Sequence, residues 1–116
     1  MNCTTIDLLR HGHCDGGEIF RGHWDSALSA KGFEQMQKAI ENSEDWLNIY
    51  CSPSQRCLNF AKLTAETRNL SQCTASDNFR EISFGDWEGR LVADVIKENP
   101  VGVENFWADP QSYPPP

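Results

Sequence analysis

The chain has 116 residues, 39% hydrophobic and 23% charged, with a formal net charge of −7 at pH 7. That length fits one ordinary domain, and the composition excludes a disordered or collagen-like chain. Ten Lys+Arg against seventeen Asp+Glu leave no broad cationic surface for nucleic acid or an anionic membrane, so neither is an expected partner. The apolar runs are too short to span a bilayer, and Met1 to Arg10 lacks a basic region followed by an apolar stretch; the expected compartment is the cytosol. The five cysteines, at positions 3, 14, 51, 57 and 73, form no C-x-x-C pair. They read as reduced thiols, mostly in the core.

In chain order, Thr4 to Leu9 is a β-prone run that stops at Gly12 and feeds a long glycine-rich loop. Ser29 then precedes Phe33, Met36, Gln37 and Ile40, whose spacing predicts an amphipathic helix ending near Glu41 to Ser43. Leu47 to Cys51 alternates apolar and polar residues as a strand does. It runs into Ser52-Pro53-Ser54-Gln55, which reads as a capping box with Ser52 as N-cap and Pro53 at the first helical position. Cys57, Leu58, Ala61 and Ala65 continue that helix to about Glu66, and a weaker strand follows around Gln72 to Ser76. Leu91, Val92, Val95 and Ile96 mark a further helix stopped by Pro100, and Phe106-Trp107 begins a short element before Asp109-Pro110. Pro114 to Pro116 reads as an extended polyproline segment or a severed connection. The alternation of strand and helix predicts an α/β fold with a mostly parallel sheet, and ligands bound outside the carboxyl ends of its strands.

Arg10, His11 and Gly12 lie at the end of the first predicted strand, and Arg56 lies in the first turn of the helix after Ser52. An arginine at each strand-to-helix junction, one of them beside free helix N–H groups, is what a phosphate site requires. Taken alone, the same residues also describe a surface Arg-His pair and a solvated helix arginine.

Leu8-Leu9-Arg10-His11-Gly12, followed by Arg21-Gly22, Asp25, Leu28-Ser29 and Gly32, resembles the opening of the histidine phosphatase superfamily, which includes the cofactor-dependent phosphoglycerate mutases. Cys51 to Cys57 resembles that family's second arginine motif, and Arg80 to Gly89 its acidic motif. The Phe84 to Glu88 segment and the tail from Asp109 to Pro116 are most similar to the alpha-ribazole phosphatases of cobalamin biosynthesis. The resemblance implies a three-layer α/β/α phosphoglycerate mutase-like fold and hydrolysis of a small phosphomonoester, without metal or cofactor. It implies that His11 is the nucleophile and becomes a phosphohistidine, that Arg10 and Arg56 grip the nonbridging oxygens, and that Glu81 protonates the leaving group. The resemblance also implies that Arg21 and Gly22 bind substrate, in a loop that closes over the phosphate in this family. An acid role would suit a buried Glu81. Cys14, Trp87 and Trp107 are read as structural, the cysteine as a small buried hydrophobe and the tryptophans as core or pocket walls.

The sequence departs from the family in places. His13 stands where many members carry glutamate, and Gly16-Gly17 where many have asparagine. The second catalytic histidine of the family lies beyond the acidic motif, and no histidine follows His23 here. The expectation is therefore one histidine phosphatase domain over residues 1–116, truncated at its C-terminus, nearly inactive, and prone to self-association through an unfinished sheet. Other readings are a phosphoglycerate mutase-like or broad-specificity phosphatase, a noncatalytic phosphate-binding fragment, and a metal-dependent hydrolase using His11, His13 and His23.

Overall fold

The computed structural model describes residues 2–116. Helix α1 spans Ala30–Ala39, strand β1 Ile49–Cys51, helix α2 Gln55–Thr67, strand β2 Cys73–Ala75, helix α3 Val92–Glu98 and helix α4 Pro100–Ala108. The strands pair in parallel, with Ile49 opposite Cys73 and Cys51 opposite Ala75, and α2 is the crossover between them. This β-α-β unit is the predicted α/β alternation, and it sets the β1 to α2 junction at a strand's carboxyl end. Among the described residues no helix is long and apolar enough to cross a membrane.

Helix α1 starts where Ser29 predicts, because the Ser29 side chain accepts from the Gly32 N–H at 3.0 Å. Its buried Met36 and the edge-on contact of Phe33 with Phe60, 5.4 Å between ring centroids, join it to α2. A second cluster lies around α3 and α4, where Phe20, Trp87, Val95, Val103 and Phe106 are buried and Phe84 and Val92 pack against them. Phe20 carries the glycine-rich loop into this cluster and lies 5.1 Å from Phe84 and 5.2 Å from Trp87. Burial of these apolar rings away from water thereby fixes the loop to the acidic segment.

Four local expectations are corrected. Residues 4–9 form no strand, and Ile6 and Leu8 are exposed; a strand exists only as part of a ladder, and no segment among the described residues pairs with this one. Helix α2 begins later than the capping box required: Ser54 is the N-cap residue and makes no side-chain cap bond, while Ser52 accepts from the Ser54 N–H at 3.3 Å. The acceptor at this helix start comes from elsewhere, since Asp25 Oδ1 takes the Gln55 N–H at 2.9 Å and the Asp25 carbonyl takes Gln55 Nε2 at 3.0 Å. Pro100 both ends α3 and opens α4 at its first turn, with Asn99 accepting from the Gly102 N–H, so Phe106 and Trp107 close a helix instead of beginning an element. Trp107 is exposed, whereas Trp87 is in the core as expected.

Because Asp25 supplies the acceptor that Ser54 does not, Asp25→Ala should destabilise the chain by ~1 kcal/mol, a typical cost of losing a cap. Ser54→Ala should cost less than half as much. Urea denaturation of the two variants measures the difference, and equal losses would remove Asp25 from this role.

Candidate active site

The loop from His11 to Ser29 doubles back on itself through a bridge between Cys14 and Leu28 and a Ser29 N–H bond to the His13 carbonyl at 3.0 Å. Gly12 makes the turn possible by close approach, since any side chain there would collide with the backbone of Gly32 at the start of α1. The His11 ring is half-buried, and its Nδ1 lies 2.9 Å from the Gly12 carbonyl oxygen. A carbonyl only accepts, so this bond places the proton on Nδ1 and leaves a lone pair on Nε2. Burial is the chief cause that lowers the His11 pKa below its ordinary value, and the Gly12 bond opposes it. The positive charges of Arg56, Arg10 and Arg21 add to the lowering in that order, so all three act on the same ring.

Arg56 is 3% exposed. It points from the first turn of α2 into the loop, where it donates to the Gly22 carbonyl at 3.0 Å and the Trp24 carbonyl at 3.3 Å. Arg21 organises the preceding stretch, donating to the carbonyls of Gly17 at 2.7 Å and Asp15 at 2.9 Å. The Nε atoms of both arginines are buried without a partner. The ion pairs among the described residues are Arg80 with Asp77 and Arg90 with Glu98, so neither Arg21 nor Arg56 has a carboxylate to balance it. A buried guanidinium with an idle donor and no counter-ion fits an anion. Arg10 is exposed.

Gly22 is buried with φ +51°, and a Cβ there would meet Glu88 Oε1 at 2.6 Å and the Ile82 carbonyl at 2.7 Å. Only glycine adopts that backbone at that distance from the acidic segment. Glu88 is the fastener between the two: its Oε1 accepts from the N–H groups of His23 at 2.9 Å and Phe84 at 3.0 Å. Desolvation, the largest influence on Glu88, raises its pKa, but those two N–H bonds, the His23 charge and the Ser83 hydroxyl together leave it lowered. The role of Glu88 was missed in the sequence, and its place inside the Phe84 to Gly89 motif was the only signal for it.

Glu81 does not meet the expectation of burial. It is exposed, and its Oε1 accepts from the neighbouring Ile82 N–H at 2.8 Å. The acidic loop rises to the surface there because its apolar anchor, Phe84 with Trp87, comes later in the chain. The three histidines do not converge. His13 Nδ1 lies 2.7 Å from Ser29 Oγ, His23 Nε2 lies 2.9 Å from the Glu81 carbonyl, and no metal-binding group of His, Cys, Asp and Glu occurs among the described residues. Cys14 is buried with its thiol 3.5 Å from the Gly12 carbonyl, and burial raises its pKa; it fills space behind His11 as an un-ionised thiol.

A β-α-β unit that sets a buried guanidinium at the start of its crossover helix, with a half-buried imidazole in the loop beside it, is an α/β arrangement suited to an anion. The chain belongs to the histidine phosphatase superfamily (branch 1), whose sequence profile matches residues 6–116. It is 31% identical over 107 residues to the adenosylcobalamin/alpha-ribazole phosphatase of Escherichia coli K12, covering 87% of this chain and 50% of that protein. The crystal structure of the alpha-ribazole phosphatase from Shigella flexneri superposes with a TM-score of 0.74 at 27% identity, over 92% of this chain and 55% of that one. A mycobacterial glucosyl-3-phosphoglycerate phosphatase solved with VO3 gives a TM-score of 0.72 at 29% identity, over 84% and 47% of the two chains. The chain thus spans about half the length of the curated relatives it matches, and its fold is the phosphoglycerate mutase-like α/β fold of these structures.

The lowered His11 pKa has a measurable consequence. The unfolded chain takes up this proton near 6.5, whereas folded His11 takes it up only at lower pH. Stability is therefore expected to fall as pH drops from 6.5 through the folded value, and to lose nothing more from this group below it. Ring titration of His11 by NMR should give a midpoint under 6.5, and Arg56→Gln should move it upward by removing a positive charge. A midpoint at or above the ordinary value would contradict the geometry.

Proposed function

We propose that this chain carries the phosphate-handling half of a phosphomonoester hydrolase that works through a phosphohistidine. The observation that carries the reading is a His11 ring with a free Nε2 lone pair under the charges of Arg21 and Arg56, whose buried Nε donors are idle and which pair with no carboxylate among the described residues. In the first step Nε2 forms a bond to phosphorus as the ester P–O bond breaks, and the Gly12 carbonyl keeps the Nδ1 proton in place. Arg56, Arg21 and Arg10 hold the nonbridging oxygens, where charge is spread during transfer. Glu81 gives its proton to the leaving oxygen, and as a carboxylate it then accepts one from the water that cleaves the phosphohistidine. Its Oε1 accepts from the Ile82 N–H, so Oε2 is the oxygen that carries the transferred proton.

The substrate class we assign is a small phosphomonoester, and within it the 5'-phosphate of alpha-ribazole. The names of the relatives from Escherichia coli and Salmonella typhimurium support this, together with the Phe84 to Glu88 segment. A second reading, phosphate binding without turnover, draws on the position of Glu81 away from a buried setting.

Incubation with a reactive aryl phosphate should leave an acid-labile phosphate on the protein, visible by phosphorus NMR, and His11→Ala should abolish it. Glu81→Gln should slow transfer by about 100-fold from an alkyl phosphate, the lower end of what a general acid contributes, and much less from a dinitrophenyl ester. Phosphate binding without any labelled His11 would favour the second reading, and label retained in His11→Ala would refute the nucleophile.

A further inference from the structure

We propose that His23 is a positioning residue for Glu81, acting through the backbone and not on substrate; this rests on the reading of Glu81 as the proton donor. The His23 ring lies across the gap between two segments that the sequence separates widely. Its Nε2 is 2.9 Å from the Glu81 carbonyl oxygen, so that nitrogen carries the proton and donates. The residue is itself held at the other end, because its own N–H donates to Glu88 Oε1 at 2.9 Å. On one side of it the Gly22 carbonyl receives Arg56, and on the other the Trp24 carbonyl does so. His23 therefore sits on the backbone that Arg56 grips and reaches to the backbone that carries Glu81.

The remaining hydrogen bonds between these segments lie further from Glu81. Phe20 exchanges bonds with Gly89 at 2.8 Å and Arg90 at 3.0 Å, Glu88 joins His23 and Phe84, and the Trp24 ring covers Gly89. The hydrogen bonds among them act at or after residue 84 in the acidic segment, Gly22 packs against the Ile82 carbonyl without a hydrogen bond, and Glu81 and Ile82 are exposed. The His23 ring makes the one side-chain hydrogen bond from the arginine loop to Glu81 among the described residues. Its loss leaves the main core intact and frees the stretch that holds the proton donor.

The test compares His23→Ala with His23→Gln, whose amide donor reaches the same carbonyl. The first readout is hydrogen exchange at the Ile82 amide, which the Glu81 carboxylate accepts. His23→Ala should speed that exchange about fivefold, the loss of one ordinary hydrogen bond, and His23→Gln should restore most of the protection. The second readout is single-turnover phosphorylation of His11 by phenyl and 2,4-dinitrophenyl phosphates: His23→Ala should slow the phenyl ester selectively, as Glu81→Gln does. Unchanged Ile82 exchange in His23→Ala overturns the proposal, and so does exchange that Gln does not restore. Leaving-group selectivity lost in Glu81→Gln but not in His23→Ala also overturns it. Equal slowing of both esters in Glu81→Gln removes the proton donor itself, and the proposal falls with it; absence of phosphorylation from either ester removes the nucleophile reading instead.

Discussion

The buried guanidinium of Arg56 is the interaction on which the rest of the site depends. A charge this far from water is costly unless its donors are used, and here the Gly22 and Trp24 carbonyls use two of them. Those carbonyls belong to the loop that Arg56 must meet, so satisfying the arginine and shaping the loop are one event. The next residue, Asp25, then accepts from the first N–H of α2, which fixes the helix that carries Arg56. Loop and helix thus specify each other, and the free Nε is left for a group that neither of them supplies.

That arrangement also sets the state of His11. A cation near an imidazole opposes a second positive charge, and burial acts in the same direction. Burial chiefly, and then the charges of Arg56, Arg10 and Arg21, keep the ring neutral, and the Gly12 carbonyl decides which nitrogen is free. His11 and the arginines around it are therefore not independent features, and a change to either alters the other's electrostatics.

How much of this the sequence discloses follows from the range of the interactions. Helix α1 was legible because Ser29, Phe33 and Met36 act within one helix, and β1 and β2 because alternation is local. The run from Thr4 to Leu9 has strand composition but no ladder partner, and composition alone does not make a strand. The cap of α2 was misread because Ser52 is adjacent and Asp25 is 30 residues away; a distant carboxylate replaced the local hydroxyl. Arg10, His11, Arg21 and Arg56 could be singled out as candidates because the motifs hold them. The contacts of Glu88 and His23 could not be read there, since they span 65 and 58 residues of chain.

The charge distribution reconciles a net −7 with a site for anions. Beyond ~8 Å at physiological ionic strength, charges on the rest of the surface are largely screened, so the acidic exterior disfavours polyanions that must lie along it. The field at the His11 ring is different, because the charges that act on it are guanidiniums. The Glu88 carboxylate, which fastens the loop, is occupied with the N–H groups of His23 and Phe84 and faces the acidic segment. Arg21 and Arg56, paired with no carboxylate among the described residues, thus set a local field opposite in sign to the net charge of the protein.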